Sequence, residues 1–429
     1  MATDLTQYNL TDPQVMEDPY PFYAALHAAD ASAVEVPGVG YWVGRMKDVH
    51  ALSRNTQVFS NSYFGEAGPL PTGVNPEPVQ DDVQAIFDRG PAVVNALWTT
   101  DPPIHSQHRK LVNKAFTSRW VSAQEPGIAA IAHELIDGFI DNGHCEFIRD
   151  FAVLIPLLVI ADALGVPRDK RDTFKHWSDD ILSGNLDVLD HGRRLQVAQS
   201  WVEATGYFAD VVADRRGCPH NDLISALATA EVNGESLRTA EILPIISTLL
   251  LAGNETTTNL IGNGLWRLLE QPELEAQLRA NRDLIPAFLE EVLRHDAPVQ
   301  CLYRVVTEDT VVGDVQIPKG SNVMLGWGCA GRDPDFFERP DEFDWNRPNL
   351  KEHVAFGYGP HLCVGLGLAR AEARIAFEVL FDRIDKFALS ADANLTHLPT
   401  FATRGFTALP LTWDSSAHVD HRTSGLSRL

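Results

Sequence analysis

The stretch Phe356-Gly-Tyr-Gly-Pro-His-Leu-Cys-Val-Gly365 places a cysteine in a glycine-marked loop, directly before the helix-forming run Leu366-Gly-Leu-Ala-Arg-Ala-Glu-Ala-Arg374. Glycine lets a backbone approach a flat ligand and adopt turns that a Cβ forbids. The unpaired N–H groups at a helix start stabilise a thiolate, which lowers the pKa of the thiol and suits it to a metal. A lone cysteine is more often a small buried hydrophobe. The surrounding pattern nevertheless predicts that Cys363 is a metal ligand.

This loop resembles the haem-binding signature of the cytochrome P450 family, Phe-x-x-Gly-x-x-x-Cys-x-Gly, at Phe356, Gly359, Cys363 and Gly365. The resemblance implies that Cys363 is the axial thiolate ligand of haem b (iron protoporphyrin IX), with O2 as co-substrate, because thiolate electron push favours O–O cleavage. It also implies that Phe356, Gly357 and Gly365 help to bind the cofactor.

The resemblance covers nearly the whole chain and implies a mainly α fold, one α-rich cytochrome P450-like domain with small β-sheets. We expect this haem-thiolate monooxygenase domain to span residues 1–413 and a polar C-terminal tail to span residues 414–429. Helical apolar spacing dominates residues 106–293, whereas strand-like runs with Gly and Pro turns occupy residues 36–43 and 307–329.

The segment Glu291-Val-Leu-Arg294 places an acid and a base three residues apart, on one face of a helix. Alone, such a pair is usually exposed and worth a few tenths of a kcal/mol. The resemblance adds Arg347, in Phe343-Asp-Trp-Asn-Arg347, and implies a structural role for all three side chains.

Apolar spacing predicts a helix from Thr239 to Glu270, roughly 32 residues or about 48 Å long, which is interrupted by the polar run Leu251-Ala-Gly-Asn-Glu-Thr-Thr257. A Thr256 hydroxyl that bonds to the carbonyl of Ala252 can open the helix locally. The plain alternative is a threonine that kinks a helix beside a solvated glutamate.

The resemblance gives this polar run a catalytic role. It implies that Thr256 and an ordered water assist oxygen activation while Glu255 relays protons inward. Ala252 and Gly253 complete the notch, because Gly253 allows another group to approach the backbone.

Four basic side chains are candidates to bind the two propionates of haem, since a buried carboxylate without partners costs several kcal/mol. His105 and Arg109 lie four residues apart at a helix start, Arg304 follows the Glu291 helix, and His361 precedes the cysteine by two residues. The resemblance implies this role for all four, although each alone is more typical of a surface base or a turn histidine.

The substrate pocket is predicted by family analogy alone, from segments that are distant in sequence. Its mostly apolar residues favour a terpenoid, steroid or aromatic molecule, with Gln300 and Arg404 as possible polar anchors. The residues are Ala96, Leu97, Trp98, Leu249, Val299, Gln300, Leu302 and Phe406. Residues 60–98, rich in Gly, Pro and Asn, are predicted to form a long irregular lid or binding loop.

Charge and composition exclude several classes of partner. The chain of 429 residues has 58 acidic residues against 35 Lys plus Arg, a net charge of -23, which disfavours nucleic acid and anionic membranes. Its most apolar stretches, 152–166 and 242–252, are shorter than the roughly 20 residues of a membrane span. The N-terminus lacks a secretory signal pattern, and five scattered cysteines argue against a disulfide framework. We therefore expect a cytoplasmic protein.

One helix departs from this acidity: residues 104–119 contain Arg109, Lys110, Lys114 and Arg119 and no acid. In the family this helix lies on the proximal, thiolate side of haem. The segregated charge predicts a docking patch for an acidic iron-sulfur ferredoxin, with a separate reductase, although a solvated helix face is the plain alternative.

The predicted reaction is NAD(P)H-driven insertion of one oxygen atom of O2 into a hydrophobic small molecule, R–H becoming R–OH. Two alternatives use the same fold: a peroxide-dependent haem-thiolate enzyme, and a haem sensor that binds a ligand without turnover. The intact pair of Glu255 and Thr256 disfavours both, because neither needs a proton relay.

Overall fold

A computed structural model of the protein describes residue 5 and residues 8–62, 81–182, 189–232 and 234–414. Most of these residues are helical. The α-helices are α1 Pro13–Glu17, α2 Tyr20–Ala28, α3 Met46–Arg54, α4 Asp81–Phe87, α5 Ile104–Ala115, α6 Ser118–Asp137, α7 Leu154–Ala163, α8 Arg171–Leu182, α9 His191–Gly217, α10 Leu223–Thr229, α11 Thr239–Glu270, α12 Pro272–Ala280, α13 Ile285–His295, α14 Trp327–Ala330 and α15 Leu366–Arg383.

The strands are short and lie at the side of the helices. They are β1 Val34–Val36, β2 Gly40–Val43, β3 Phe59–Ser60, β4 His144–Glu146, β5 Glu231–Val232, β6 Glu235–Ser236, β7 Cys301–Val306, β8 Thr310–Val312, β9 Val315–Ile317, β10 Asn322–Gly326, β11 Ala388–Leu389 and β12 Pro410–Thr412. One sheet has the order β1-β2-β10-β7-β3 and another has the order β11-β12-β4. Two hairpins, β5-β6 and β8-β9, complete the set within the described residues.

Helix α11 runs through the centre of the molecule and packs against α7, α9, α13 and α15. Its C-terminal half is buried through Leu260, Ile261 and Leu265. Close packing depends on Gly264, because a Cβ there would lie 2.9 Å from the ring of Phe377 in α15. The helix is therefore fixed along its length, and a polar group on it has a defined position.

Most of the predicted elements are confirmed. The helix expected over residues 239–270 has those bounds, and β1 and β2 flank a turn at Gly38, whose φ is +75°. In the described part of residues 106–293, helices joined by short turns dominate and the strands are limited to β4, β5 and β6, while β7 to β10 cover the second predicted strand region.

Some predictions fall partly on residues that the structure does not describe. Residues 63–80 of the predicted lid and residues 415–429 of the predicted tail lie outside the described ranges, so the division at residue 413 remains a prediction. In the described part, every helix is too short or too polar to cross a lipid bilayer.

Candidate active site

The loop before α15 is shaped by glycines and by one hydrogen bond that closes it. The backbone N–H of Cys363 donates to the carbonyl of Phe356 over 2.9 Å. Gly357 and Gly359 have φ of +74° and +73°, and a Cβ on Gly359 would lie 2.9 Å from the carbonyl oxygen of Ser53 in α3. Any other residue at 359 would push the loop away from α3, so the glycine pattern fixes the position of Cys363.

Cys363 is half-buried and lies just before the start of α15. Burial raises the pKa of its thiol, and the backbone N–H groups of Gly365 and Leu366, together with Arg109 and Arg370, only partly offset this. The N–H groups at the helix start therefore act in the predicted direction on the pKa of this thiol, but desolvation of the thiol in the protein without a metal outweighs them. A metal cation at the sulfur would favour the thiolate.

The other cysteines have different surroundings. Burial raises the pKa of Cys145 to about 12 and raises the pKa of Cys301 and Cys329 further. Cys329 lies in α14 with its Sγ 3.5 Å from Nε2 of His27, and Cys218 is exposed at the end of α9. Cys363 alone among them combines partial exposure with backbone donors and arginines around the sulfur.

We call His105, Arg109, Arg304 and His361 the histidine cluster. The imidazole rings of His105 and His361 are in contact, with centroids 3.9 Å apart and planes tilted by 34°. Burial, with the charges of the other three members, lowers the pKa of His361 to about 2, and burial lowers the pKa of His105 to about 4. The structure thus brings together the four side chains that the sequence analysis singled out for the propionates.

Both histidines have buried nitrogens without a partner among the described residues: Nδ1 of His105 and both ring nitrogens of His361. Buried polar atoms without partners are costly, and three of them in two adjacent rings point to a ligand that completes their hydrogen bonds. Arg109 is placed differently from the prediction, since its guanidinium donates to the carbonyl of Leu362 and to Asn113. It therefore also braces the loop.

The polar notch on α11, residues 252–256, has the hydrogen bond that its sequence predicts. The Thr256 hydroxyl donates to the Ala252 carbonyl over 2.7 Å. The helix does not open, because residues 252–256 remain α-helical. Ala252 and Gly253 are exposed, and a Cβ added to Gly253 would meet no atom within 4 Å, so there is room above the notch for a ligand.

Glu255 has a partner that sequence reasoning missed. The Thr403 hydroxyl donates to Oε1 of Glu255 over 2.7 Å, and the two residues are 148 positions apart. Because a contact of this range has no local sequence signature, only the fold could reveal it.

We call Glu291, Arg294 and Arg347 the buried ion cluster. Two guanidinium nitrogens of Arg294 bind the two carboxylate oxygens of Glu291 at 2.7 Å each, and Nε of Arg347 lies 3.1 Å from Oε1. The remaining donors of Arg294 bind the carbonyls of Gly331 and Pro340, at 2.7 Å each, and that of Glu342, at 3.0 Å. The pair is therefore not an ordinary exposed one, since all three charged groups are buried and paired.

The predicted substrate residues separate into two groups. Trp98, Leu249, Val299 and Leu302 are half-buried, as pocket walls must be. Ala96 and Leu97 are buried in a core cluster with residues of α5, α7, α9, α10 and α11. The first group remains compatible with the predicted pocket.

Three residues predicted at the pocket are engaged elsewhere. Gln300 accepts from the Tyr23 hydroxyl and donates to Ala297, and it lines a small cavity under the N-terminal segment. The Arg404 guanidinium donates to the carbonyl of Glu17 and lies over the Tyr20 ring. Neither Gln300 nor Arg404 is therefore the polar anchor that the sequence analysis expected.

Phe406 is likewise placed in the core. It is buried, with its ring 5.3 Å from that of Trp266 and 4.3 Å from that of His397. The prediction that the Phe406 side chain lines the substrate pocket is therefore wrong, because core packing occupies its ring.

The geometry fits a flat, largely apolar ligand that carries acidic groups. Leu251 on α11 and Leu362 beside the cysteine are each 38% exposed, although large apolar side chains are usually covered. The histidine cluster has unpartnered nitrogens for carboxylates, and Cys363 has a sulfur for a metal. Haem combines these three properties.

Comparison with known proteins agrees with this fit. The family model of cytochrome P450 matches residues 207–402. PikC, a cytochrome P450 monooxygenase of Streptomyces venezuelae, is 33% identical over 413 residues, which cover 95% of this chain and 94% of PikC.

Solved structures extend the likeness to the whole fold. CYP109Q5 from Chondromyces apiculatus is 37% identical, with a TM-score of 0.83, and the match covers 96% of this chain and 99% of that one. CYP109E1 from Bacillus megaterium, solved in complex with testosterone, is 30% identical, with a TM-score of 0.80 and coverage of 92% and 99%. Proteins of this kind use haem with a cysteine thiolate ligand and O2. The chain belongs to the cytochrome P450 family and is a monooxygenase of that family.

Proposed function

We propose that Cys363 binds the iron of haem b and that the enzyme inserts one oxygen atom of O2 into a hydrophobic small molecule. In this reaction R–H, O2, NAD(P)H and a proton give R–OH, water and NAD(P)+. Thiolate-bound haem supplies the activation of O2. The observation that carries the proposal is the half-buried sulfur of Cys363 beside the histidine cluster, whose two adjacent imidazole rings have buried nitrogens without partners among the described residues.

The histidine cluster would hold the two propionates. The unpartnered nitrogens of His105 and His361 would donate to carboxylate oxygens, and the guanidinium of Arg304 would balance their charge. Phe356, Gly357 and Gly365 would line the thiolate side, and Arg109 would hold the loop through Leu362.

The deciding experiment is the absorption spectrum of the dithionite-reduced protein under carbon monoxide, for wild type, Cys363→Ala and Cys329→Ala. We expect a strongly red-shifted Soret band in wild type and in Cys329→Ala, because Cys329 is buried against His27 and away from the loop. The band should be lost in Cys363→Ala. A spectrum of histidine-ligated haem in wild type, or loss of the band in Cys329→Ala alone, contradicts the assignment.

We propose Thr256 and Glu255 as the catalytic pair, with Ala252 and Gly253 forming the space beside them. Because the Thr256 hydroxyl donates its proton to Ala252, its oxygen remains an acceptor and can orient the O–H of a water. The Glu255 carboxylate would take up protons and pass them to that water. Glu291, Arg294 and Arg347 would act only by holding the fold.

We propose a terpenoid, steroid or aromatic substrate. The half-buried apolar residues Trp98, Leu249, Val299 and Leu302 support an apolar pocket, and the related CYP109E1 was solved with testosterone bound. The test is a titration of the ferric protein with testosterone and with terpenoid and aromatic panels, read as a spin-state shift. Shifts confined to charged or sugar-like ligands contradict this substrate class.

Electrons would come from NAD(P)H through a reductase and an iron-sulfur ferredoxin that docks on α5. The single helix predicted over residues 104–119 is two helices, because α5 ends at Ala115 and Arg119 lies in α6. Lys110, Lys114 and Arg119 are exposed, but the Lys114 ammonium is hydrogen-bonded to the Glu231 carbonyl, so Lys110 is the main contributor on α5 and Arg119 contributes from α6. We expect Lys110→Glu to slow reduction by an acidic ferredoxin and to weaken its salt dependence, because steering depends on charge. Lys319→Glu, on the turn after β9, is the control, and equal effects of the two variants contradict docking on α5.

A cytoplasmic location remains a prediction, in line with five free cysteines.

A further inference from the structure

Glu255 is the first of three polar residues on one stripe of α11. Asn259 and Asn263 follow it at spacings of four residues, so the three side chains lie above one another on the same face. All three meet the same segment of chain, residues 403–405. We call this row of contacts the polar seam.

Each contact of the polar seam is direct. Thr403 donates to Glu255 over 2.7 Å, and Nδ2 of Asn263 donates to the carbonyl of Arg404 over 3.0 Å. Between them, a Cβ on Gly405 would lie 1.9 Å from Oδ1 of Asn259, so this position tolerates only glycine at the observed separation. The Asn263 hydrogen bond therefore already holds the segment against the helix, and Gly405 allows it to lie close to Asn259.

The segment is also fixed from its other side. The backbone N–H of Arg404 donates to the carbonyl of Pro298 over 2.9 Å, and Thr403 forms a β-bridge with Val299. The backbone N–H of Gln300 donates to the carbonyl of Ala402 over 2.8 Å. Because the backbone of Thr403 is held without Glu255, its hydroxyl is a preset donor rather than a group that follows the carboxylate.

We infer that Thr403 is a positioning residue that fixes Oε1 of Glu255 and leaves proton exchange to Oε2. A glutamate side chain has three rotatable bonds, and one hydroxyl bond at a fixed point selects a narrow set of its conformers. The inference rests on the proposed function of Glu255 as a proton relay. A role in packing alone does not explain the bond from Thr403 to Glu255, since the Asn263 bond already holds the segment against α11 and Gly405 already allows its close approach.

The first test measures the environment of the Glu255 carboxylate in the absence of turnover. Infrared difference spectra of the haem-loaded protein identify the Glu255 carboxylate band as the one that Glu255→Gln removes. We expect this band to shift and broaden in Thr403→Val, which removes the hydroxyl and keeps the shape, and to return in Thr403→Ser. Thr400→Val is the matched control, because the Thr400 hydroxyl accepts only from the N–H of Ala402 and leaves Glu255 untouched. An unchanged band in Thr403→Val overturns the inference, and Thr403→Ala replaces that variant if it does not fold.

The second test compares product formed with NADPH consumed, using testosterone as the probe substrate and a plant-type ferredoxin with its reductase. We expect Thr403→Val to lower this ratio roughly threefold to tenfold and to raise peroxide release, while Thr403→Ser restores the ratio. The double variant Glu255→Gln/Thr403→Val should match Glu255→Gln alone, because Thr403 acts through Glu255. If Glu255→Gln leaves the ratio unchanged, the proposed relay fails. If Glu255→Gln lowers it and Thr403→Val does not, only the positioning inference fails.

Discussion

The buried ion cluster and the histidine cluster are both groups of buried titratable side chains, yet they differ in how their polar atoms are satisfied. In the ion cluster, carboxylate oxygens and backbone carbonyls take up the guanidinium donors. In the histidine cluster, imidazole nitrogens remain without partners among the described residues. The ion cluster is complete within the chain, and removing one of its members would leave a buried charge unpaired, whereas the unpartnered nitrogens of adjacent histidines leave hydrogen bonds for a ligand to complete.

The largest expected effect breaks the ion cluster. Glu291→Ala leaves two buried guanidinium groups, those of Arg294 and Arg347, without their carboxylate. We expect the free energy of unfolding to fall by about 3–5 kcal/mol, measured by urea denaturation. Glu308→Ala, at an exposed position after β7, is the control and should change stability by no more than about 0.5 kcal/mol. Equal effects of the two variants would mean that the cluster does not hold the fold.

The next effect concerns Glu290, which lies beside the ion cluster and pairs with Arg370, a residue whose charge acts on Cys363. Burial raises the pKa of Glu290, but the hydrogen bonds and charges of Arg370 and His353 outweigh it and hold the pKa at about 2. A carboxylate with a depressed pKa stabilises the fold above its ordinary pKa and loses this contribution as the pH falls.

The variant Glu290→Gln tests whether this contribution to stability is lost as the pH falls. We expect the variant to be less stable than wild type by about 2–3 kcal/mol at pH 7, and the difference to shrink between about pH 4.5 and pH 2. Chemical denaturation across that range measures it. A difference that stays constant down to pH 2 contradicts a paired, ionised Glu290.

The smallest effect on the stability of the fold is expected from a substitution in the histidine cluster. Such a substitution should instead change how tightly the protein retains its cofactor. His361→Ala removes nitrogens that bind no described residue, so the stability of the haem-free protein should change little. We expect haem transfer to an apomyoglobin acceptor to accelerate roughly tenfold to a hundredfold, because a hydrogen bond to a charged group is worth about 1.5–3 kcal/mol. His176→Ala, at an exposed site on α8, is the control. If His361→Ala lowered the stability of the haem-free protein and did not speed haem loss, His361 would serve the fold and not the cofactor, and the two clusters would not differ in role.

Local sequence signals were sufficient to predict most of the helices and strands and the turn-rich loop around Cys363. The bounds of α11 and the bond from Thr256 to Ala252 depend on spacing within one helix, which a sequence displays directly. Family resemblance also brought the members of both clusters together correctly. The sign of the pKa change at Cys363 could not be predicted, since it depends on how deeply the fold buries the sulfur.

The contacts that sequence reasoning missed are long-range. Glu255 and Thr403 meet only after α11 and the segment near the C-terminus have packed. Gln300, Arg404 and Phe406 were assigned to the pocket by position in the chain, whereas tertiary packing turns them toward the N-terminal segment or the core.

The closure of the ion cluster has a consequence for biosynthesis. Because Glu291, Arg294 and Arg347 satisfy one another without a cofactor, we expect this part of the fold to form during synthesis, before haem binds. In an expression host short of iron or of haem precursors, the yield of protein would then stay high while the fraction that is coloured falls.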